Sequence, residues 1–577
     1  MKPTILASAI RQKDWQLILA LIGVSLILNL IGITWGLPYP PGVNPGDAAW
    51  ALDAIDPVKP LAAAREGFSW GTWSSHEFTY PLAHYILLAL VFAPYVAYLA
   101  LSGGLTGGGA ADYPYGLADP VTALSTLALL ARLVSVLMAT GIVVLTFLIV
   151  RALFERRAAF FAALMVAVCY PLVFYAHVTT LDVPYIFWVM LALYAYTQVM
   201  IVGQRRHYVG LGIFAAMALA TKDQAYALLI ALPLPLIWFH LRRWQAAPRT
   251  VASAGWLSLG RDLSLGAGGF AVTYAVANNL LSNFPRFVLH SQALIERRVF
   301  DRVLDPTTLD GHLRLFLQTL SYLGRSLNWP LFALCLIGLV YCLYRYRSRT
   351  APYLAPLVSY YGLFIVGSAF YVHSRHVIPL AILLAFFGGK LLSDLTANRQ
   401  LPHRLRYAGV GIVFAYSLAY SFSQDLTLLN DPRLQAGEWL EANAPAGAVI
   451  EVYSTSTYLP HFSTMHRVEK RDFAKDGKAE ALQARRPDYI VVTEHEYRPS
   501  ADHDESEALE RALRDNPYLE GLCSGRFDYE LLVSFKYKLH DVFYADMIYG
   551  QNPRIMIFRH KVDQAAQRIE ASLAPAQ

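Results

Sequence analysis

The sequence predicts a mainly α-helical polytopic membrane protein, with about eleven transmembrane helices in residues 1–423 and a soluble α/β domain in residues 424–577. Apolar runs close to the roughly 20 residues that a helix needs to span a bilayer recur from Gln16 to Ser423 and then stop. Only 16% of the 577 residues are charged and the mean hydropathy is +0.37, which is too apolar for a soluble protein of this length. The remaining residues have an ordinary soluble composition, which predicts a separate domain.

Short clusters of basic residues separate the apolar runs and predict which side of the membrane each loop faces. Lys and Arg favour the cytoplasmic side in short loops, so all the clusters are expected there. They are Lys2/Arg11/Lys13, Arg151/Arg156/Arg157, Arg205/Arg206, Arg242/Arg243/Arg249, Arg345/Arg347/Arg349 and Arg399/Arg404/Arg406. Because this charge is scattered over many loops, the net charge of +6 does not indicate a nucleic-acid partner. The first apolar segment lacks a small-residue cleavage site, which predicts an uncleaved helix and a cytoplasmic N-terminus.

The predicted helices follow one another between these clusters. They lie near residues 16–36, 119–150, 158–176, 183–202, 208–221, 223–239, 262–282, 329–345, 352–371, 377–392 and 407–423. All basic clusters face the cytoplasm only if the apolar stretch 80–101 does not cross the membrane. A crossing there would place the Arg151 cluster outside. We therefore predict an interfacial or re-entrant helix there, inside a long first outer loop at 37–118. The alternative is that this stretch spans the membrane and that another helix is miscounted.

With this topology, nearly every unusual polar residue falls on the extracytoplasmic side of the cytoplasmic membrane. That side receives the 37–118 loop, the turns at 176–182, 221–223 and 372–376, the 283–328 loop and the C-terminal domain. In a transporter, polar residues are expected near the bilayer midplane, often on broken helices in matching repeats. The sequence shows neither pattern, which weakens the transporter interpretation.

The C-terminal segment predicts a small α/β domain of about 150 residues with its own core. It begins with a helical pattern at 431–443, in which Leu434, Trp439 and Leu440 share a face. Strand-like runs follow at 448–453, 488–493, 529–535 and 555–560. The domain has no phosphate-binding glycine loop and no regular metal-ligand spacing, and Cys523 is its single cysteine. We expect a structural or acceptor-docking module.

The first outer loop carries several candidates for chemistry. Asp47 follows a Pro/Gly-rich turn, where a carboxylate can act as a general base towards a hydroxyl group. The alternative is that Asp47 is the N-cap of a helix that starts at Ala48. Glu77, His76 and His84 lie on the same loop at membrane depth and are candidates for metal binding or for supporting the site.

A second set of candidates lies at the outer ends of predicted helices. Asp182 either caps the following helix, with Pro184 in its first turn, or binds a divalent metal or orients a polar group. Lys222, Arg375 and His376 end their helices at the same face, and we expect Lys222 and Arg375 to lie outside the packed interior. Cations at this depth either meet an anionic partner such as a phosphate or extend to the headgroup region.

Taken in order, five segments resemble the C-type (GT-C) membrane glycosyltransferases, in particular relatives of dolichyl-phosphate-mannose protein mannosyltransferases and bacterial aminoarabinose transferases. The segments are NPGDAAW, TYPLAHYILL, HVTTLDVPYIFW, ATKDQAYALLIALPL and SRHVIPLAILLA. The resemblance implies that Asp47 is the catalytic base, that Asp182 lies near the donor phosphate or a metal, and that Lys222 and Arg375, with His376, contact the phosphate. It also implies an aromatic-Pro helix within the first outer loop, in agreement with the charge argument.

Two departures from the family pattern bear on the metal and on the sugar. Ala48 stands where many relatives have a second acid, and Thr79-Tyr80 stands where some have a Glu-Lys pair. Glu77 is the candidate substitute for that acid. The expected cofactor is a divalent metal, Mg or Mn.

The resemblance implies an inverting glycosyltransferase, which moves a hexosyl or pentosyl group from a polyprenyl-phosphate donor to a glycan, lipid or protein acceptor. The reaction is expected at the outer face of the cytoplasmic membrane, because the polyprenyl tail of the donor stays in the bilayer. Two alternatives remain open: a transporter or flippase of lipid-linked glycans, and a non-catalytic envelope assembly protein whose transferase site has decayed.

Overall fold

The structure is a computed structural model in which the chain forms two compact units. The residues it describes are 12–38, 54–67, 80–106, 113–245, 249–281, 283–300, 307–398, 402–498, 505–540, 542–543, 548 and 550–561. The first unit comprises Met1–Ile33, Ile55–Tyr95 and Leu130–Gln424, and the second comprises Thr34–Ala54, Val96–Leu129 and Asp425–Gln577.

Helices dominate the described residues before Asp431, as the sequence predicts. The α-helices are α1 Gln12–Leu30, α2 Val58–Gly67, α3 Ala83–Ser102, α4 Pro120–Leu153, α5 Arg156–Ala167, α6 Tyr170–His177, α7 Asp182–Ile201, α8 Arg205–Leu219, α9 Tyr226–Leu229, α10 Pro233–Gln245, α11 Arg249–Ala277, α12 Phe284–Phe300, α13 Leu309–Leu327, α14 Trp329–Arg345, α15 Arg347–Ser359, α16 Ile378–Ala397 and α17 His403–Leu429. Single 3-10 turns at Asp223–Ala225 and Ser374–Val377 and a π-helix at Tyr360–Ala369 complete this part.

Length and apolar composition identify the helices that can cross a membrane. Among the described residues, 6 helices are long and apolar enough to cross a membrane, or up to 8 if each of two bent pairs counts as one span. The chain is therefore a multi-pass membrane protein, while the predicted count of about eleven stays a prediction. Helix α3, predicted to be interfacial, is one of the 6, so its relation to the bilayer also stays a prediction.

Several predicted continuous helices are broken where proline interrupts the backbone hydrogen bonding. The segment predicted at 158–176 consists of α5 and α6, which are bent by 57° to each other and separated just before Pro171. The segment predicted at 223–239 consists of a 3-10 turn, α9 and α10, and Pro233 begins α10. Proline suits the first turn of a helix, where its missing N–H would have no partner anyway.

The predicted 283–328 loop is wrong in its local structure, because this segment contains α12 and α13. Its apolar residues are spaced along a helix face instead of forming a continuous run. In α13, Leu315, Thr319, Tyr322 and Leu323 are buried while Leu313 is exposed. A helix with one apolar face is recognised by its 3.6-residue period and not by its mean hydropathy.

Helix α16 lies at the centre of the first unit. All residues from Ile378 to Ser393 are buried, because α5 and α14 pack closely against α16. Glycine allows this approach: a Cβ atom added at Gly338 would lie 2.5 Å from the Phe387 carbonyl oxygen, and one at Gly389 would lie 2.6 Å from the Ala158 carbonyl oxygen. Small residues at helix contacts are typical of membrane proteins. The start of α16 therefore holds the 374–377 turn in a fixed position.

Contacts at one end of the first unit bring several basic clusters together. Arg151 Nη2 lies 2.7 Å from the carboxylate of Asp14, next to the first cluster. Arg349 Nη1 donates to the Leu153 carbonyl oxygen at 3.0 Å, and Arg406 Nη1 donates to the Thr396 carbonyl oxygen at 2.7 Å. Because these contacts lie at the same end of the first unit, they agree with the prediction that the clusters face one side of the membrane. That this side is the cytoplasmic one stays a prediction.

The C-terminal part of the second unit is an α/β domain with one 5-stranded sheet. Its strands are β1 Val449–Val452, β2 Arg467–Lys470, β3 Tyr489–Thr493, β4 Tyr529–Phe535 and β5 Ile555–His560, in the order β2-β1-β3-β5-β4. Strand β1 is parallel to β2 and β3, whereas β5 is antiparallel to β3 and β4. The helices are α18 Pro432–Asn443, α19 Phe473–Asp476, α20 Ala479–Arg485, α21 Glu505–Asp515 and α22 Pro517–Cys523.

Alternating residues of the central strands enter two apolar cores on opposite faces of the sheet. Tyr489 and Val491 pack with Leu440 of α18, and Ile490 and Val492 pack with Leu519 of α22. This is the period of two that a strand buried on both faces requires.

Two details of this domain differ from the prediction. Strand β2 was not predicted, because its sequence RVEK is short, charged and mostly exposed at the edge of the sheet. Helix α18 forms as predicted, but Leu434 is 42% exposed and therefore does not share the buried face of Leu440. Ala436 and Leu440, four residues apart, form that face instead.

Candidate functional site

The centre of the candidate site is a buried ion pair between Asp182 and Lys222. Asp182 is the first residue of α7, and Lys222 follows the end of α8, which packs along α7. Lys222 Nζ donates to Asp182 Oδ1 at 2.7 Å, and the two residues are 9% and 1% exposed. The N-cap residue of α7 is Leu181 and not Asp182, so the contact of Asp182 with Lys222 is the role that the structure shows.

Two tyrosines cover the ion pair. The ring centre of Tyr185 lies 5.8 Å from Lys222 Nζ, and its hydroxyl group lies 3.4 Å from the hydroxyl group of Tyr360 in the π-helix. The side chain of Gln224 lies beside Tyr185. The aromatic rings exclude water, and a charge pair in such surroundings acts more strongly on an anionic ligand than it would in solvent.

The turn before α16 brings Arg375 and His376 to the same place. Ser374 Oγ lies 3.2 Å from the hydroxyl group of Tyr175, and His376 Nδ1 accepts a hydrogen bond from the backbone N–H of His373 at 3.3 Å. Arg375 is close enough to interact electrostatically with both Tyr185 and His376. The structure therefore brings together Asp182, Lys222, Arg375 and His376, four of the residues selected from sequence.

A second polar group adjoins the first through the 220–223 turn. The backbone N–H of Ala83, at the start of α3, donates to the Ala220 carbonyl oxygen at 3.0 Å. His290 of α12 lies 3.1 Å from Asp223 Oδ1, and Arg286, one turn earlier, donates to the Tyr80 carbonyl oxygen at 3.4 Å. His84 is buried beside this junction, and neither of its ring nitrogens has a hydrogen-bond partner among the described residues.

Arg286, His290, Asp223 and Gln224 were missed in the sequence analysis. Asp223 and Gln224 directly follow Lys222 in the segment ATKDQAY, so adjacency would have found them. Arg286 and His290 are four residues apart, a spacing that places both on one face of a helix, but the segment was predicted to be a loop.

Two predicted site residues, Asp47 and Glu77, lie outside the described residues, as does His76. The position of Lys222 is a correction, because it was expected outside the packed interior and is buried. The attraction to Asp182 offsets part of the cost of burying the Lys222 charge, and the position of Lys222 at a helix end does not by itself reveal this partner.

The described residues do not assemble the donor set of a metal site. Within them, no group of three or more His, Cys, Asp or Glu side chains could hold a metal ion. Asp182, the predicted metal ligand, is bound to an ammonium group instead. We therefore derive no step of the reaction through a metal.

An apolar cavity of about 400 Å³ lies next to the site, between α8, α10 and α11. Its lining along α8 runs from Tyr208 to Leu219, a distance of about 16 Å at 1.5 Å per residue. One end, at Leu219 and Tyr226, flanks Lys222 in sequence, and Ile230 on its wall is 61% exposed. A cavity with this lining can hold an elongated apolar molecule.

These features define the class of protein: a multi-pass membrane protein with a cationic, partly enclosed polar site where several helices end. The family model described as dolichyl-phosphate-mannose-protein mannosyltransferase matches residues 121–259, a stretch that includes Asp182 and Lys222. This match confirms the predicted resemblance to dolichyl-phosphate-mannose protein mannosyltransferases over those residues. A comparison with curated protein sequences finds no match.

Three solved structures are similar to this chain at low sequence identity. ArnT from Cupriavidus metallidurans bound to undecaprenyl phosphate is 14% identical, with a TM-score of 0.45 over 95% of this chain and 98% of that chain. The Archaeoglobus fulgidus oligosaccharyltransferase in complex with Zn and sulfate is 12% identical, with a TM-score of 0.45 over 88% and 71%. The S. cerevisiae protein O-mannosyltransferase complex bound to the sugar donor is 17% identical, with a TM-score of 0.34 over 51% and 35%. At these values the similarities do not identify a substrate.

Proposed function

We propose that the protein is an inverting glycosyltransferase that uses a polyprenyl-phosphate-linked sugar and acts at the outer face of the cytoplasmic membrane. The observation that carries this proposal is the buried Asp182–Lys222 pair beside Arg375, at helix ends next to an elongated apolar cavity. A lipid phosphate needs both parts: cations for the headgroup and an apolar channel for the chain. The acceptor is a hydroxyl group of a glycan, lipid or protein.

In the proposed reaction, the acceptor oxygen attacks the anomeric carbon while Asp47 takes the hydroxyl proton. The bond between the anomeric carbon and the phosphate oxygen breaks, and its electron pair leaves with the polyprenyl phosphate. Attack from the side opposite to this bond inverts the anomeric configuration. The products are the glycosylated acceptor, polyprenyl phosphate and a protonated Asp47, which later releases its proton to water.

Lys222 and Arg375 are proposed to stabilise the negative charge that develops on the leaving phosphate. Lys222 donates one hydrogen of its ammonium group to Asp182 Oδ1. Asp182 therefore holds Lys222 in place at the proposed phosphate position. His376 is buried, and its Nδ1 atom accepts a hydrogen bond from the His373 backbone N–H. This bond orients the turn that carries Arg375.

The test is sugar transfer by the purified full-length protein in liposomes, from a panel of undecaprenyl-phosphate-linked hexoses and pentoses. Asp47→Asn keeps the size and hydrogen-bonding capacity of the residue but removes the basic carboxylate. We expect the rate to fall by a factor of about 100 to 10,000 without loss of thermal stability. Asp53→Asn, a matched change in the same loop, should leave the rate within about twofold.

Two results would contradict the proposal. Near-normal transfer by the Asp47→Asn protein would exclude Asp47 as the base. If the wild-type protein moves lipid-linked glycans across the liposome membrane and releases no polyprenyl phosphate, the protein is a transporter and not a transferase.

A further inference from the structure

Three buried side chains around the 220–224 turn carry nitrogen atoms without a hydrogen-bond partner among the described residues. They are His84 with both ring nitrogens, Gln224 with Nε2 and Asn283 with Nδ2. Their exposed fractions are 1%, 7% and 3%. Buried polar groups are nearly always paired, so three unpaired groups in one region indicate that a ligand or ordered water supplies the partners.

Contacts between three chain segments place these side chains around one junction. The segments are the start of α3, the 220–224 turn and the start of α12, joined by the bonds Ala83–Ala220, Tyr80–Arg286 and Asp223–His290 described above. His84 directly follows Ala83, and Asn283 directly precedes α12. Asn283 Oδ1 accepts a bond from the backbone N–H of Arg286 at 3.4 Å, so its amide nitrogen is the end left for a partner.

The chemistry of these groups differs from that of the phosphate contacts next to them. Amide nitrogens are uncharged donors with fixed directions, and an imidazole ring offers one donor and one acceptor when neutral. Directional uncharged groups suit the hydroxyl groups of a sugar, whereas an anionic phosphate is bound mainly by cations. Gln224 joins the two regions, because it directly follows Asp223 in the chain and its side chain lies beside Tyr185, which covers the Asp182–Lys222 pair.

We propose that His84, Gln224 and Asn283 form the subsite that binds the hydroxyl-bearing sugar of the lipid-linked donor. The proposal rests on the proposed function, because it requires that the phosphate of the same donor lies at Lys222 and Arg375. The subsite then sets which sugars are accepted. A site that hydrogen-bonds a hydroxyl group rejects analogues that lack it, since its buried donors would be left unpaired.

The experiment measures binding of undecaprenyl phosphate, alone and linked to mannose, glucose, galactose, arabinose or aminoarabinose, to the full-length protein in detergent. The wild-type protein should bind at least one loaded carrier more tightly than the unloaded carrier. His84→Leu and Asn283→Asp should each reduce this preference by about 3- to 10-fold, the effect of one lost hydrogen bond. Affinity for the unloaded carrier should stay within about twofold in both variants.

Each substitution has a built-in control for folding. Asn283→Asp keeps the oxygen that bonds to the Arg286 amide and exchanges the nitrogen donor for a carboxyl oxygen, so affinity for the unloaded carrier reports any effect of the added charge. His84→Gln keeps a side-chain donor and should retain part of the preference that His84→Leu loses. Thermal stability of all variants is measured in the same preparations.

The outcomes separate this proposal from the one on which it rests. Binding of the unloaded carrier with no preference for any loaded one would overturn the sugar subsite but leave the polyprenyl-phosphate site supported. A preference that survives in both His84→Leu and Asn283→Asp, together with an unchanged KM for the acceptor, shows that water alone fills the junction. If those variants keep the donor preference and raise only the KM for the acceptor, the bound sugar belongs to the acceptor and the donor assignment is wrong. Absence of binding by any carrier would instead count against the proposed function.

Discussion

Lys222 is buried next to a carboxylate, and this changes what a substitution at that position measures. Removing one partner of a buried ion pair leaves an uncompensated charge and typically destabilises a protein by about 3–5 kcal/mol. A loss of activity in Lys222→Met would therefore not distinguish a phosphate contact from a structural role. Replacing both partners removes the unpaired charge and separates the two roles.

We expect the double variant Asp182→Asn with Lys222→Met to recover most of the thermal stability that Lys222→Met loses. If Lys222 binds the donor phosphate, the double variant should still use the donor at least about tenfold less efficiently than the wild-type protein, because an ionic hydrogen bond contributes about 1.5–3 kcal/mol. Thermal unfolding and kcat/KM for the donor are measured on the same samples. Recovery of both stability and kcat/KM would show that Lys222 serves only as the counterion of Asp182.

Glu496 in the C-terminal domain makes a different residue-scale prediction, because burial raises its pKa from 4.5 to about 7. Its Oε2 atom accepts bonds from the Thr493 backbone N–H at 2.6 Å and from Thr493 Oγ1 at 2.8 Å, but Oε1 is buried and lacks a hydrogen-bond partner among the described residues. Since the folded domain favours the protonated acid, its contribution to stability is fully present below about pH 4.5. It is lost as the pH rises through 7.

The variant Glu496→Gln should therefore gain stability relative to the wild-type protein as the pH rises from 5 to 7, with a plateau above that. The expected change is on the order of 1–3 kcal/mol. Hydrogen exchange of peptides from β1 and β3 in the full-length protein reports this local opening free energy. A difference between variant and wild type that does not change with pH would contradict the raised pKa of Glu496.

At the scale of elements, the cavity between α8, α10 and α11 predicts how chain length affects donor binding. Ala215 on α8 lines the middle of this cavity, between Tyr208 and Leu219. The variant Ala215→Phe places a ring in the path of the proposed polyprenyl chain. It should raise the KM for an eleven-unit donor by about tenfold or more, since each buried methylene contributes about 0.8 kcal/mol.

A short-chain donor provides the control for this prediction. Donors with only two isoprene units do not extend far from the phosphate, so Ala215→Phe should leave their KM within about twofold. An equal effect on long and short donors would show that the substitution disturbs the cation site or the fold. No effect on either would show that the chain does not use the cavity.

Elements also differ in how readily the sequence reveals them. Helix α16 is mostly apolar and buried from Ile378 to Ser393, strand β3 is buried throughout, and both were predicted within a few residues. Helices α12 and α13 and strand β2 were missed because their apolar residues are interspersed with charge. For these elements, the neighbours against which they pack supply the stabilisation that the local sequence does not display.

At the scale of the whole molecule, the basic clusters predict the topology. Reporter fusions after residues 110, 155 and 430 should be found outside, inside and outside the cytoplasm. The contacts that join Asp14 to Arg151 and Arg349 to Leu153 already require that these clusters share one end of the first unit. A cytoplasmic reporter at 110 would show that α3 crosses the membrane and that the interfacial prediction is wrong.

The sequence by itself determined the class of this protein: apolar runs of spanning length, the basic residues between them, and a C-terminal α/β pattern. It also identified candidate site residues, because charged and polar side chains are unusual at helix ends in a membrane protein. These candidates are Asp182, Lys222, Arg375 and His376. These signals are local, since hydropathy, period and charge can be read from residues that are neighbours along the chain.

Only the tertiary structure decided how those residues are combined. Asp182 and Lys222 are 40 positions apart, and their 2.7 Å contact exists because α7 and α8 pack side by side. The nitrogens of His84, Gln224 and Asn283 likewise cannot be recognised from sequence. Only the structure shows that they are buried and lack a hydrogen-bond partner among the described residues. Pairing and burial depend on contacts between distant segments, and such contacts leave no periodic pattern in a single sequence.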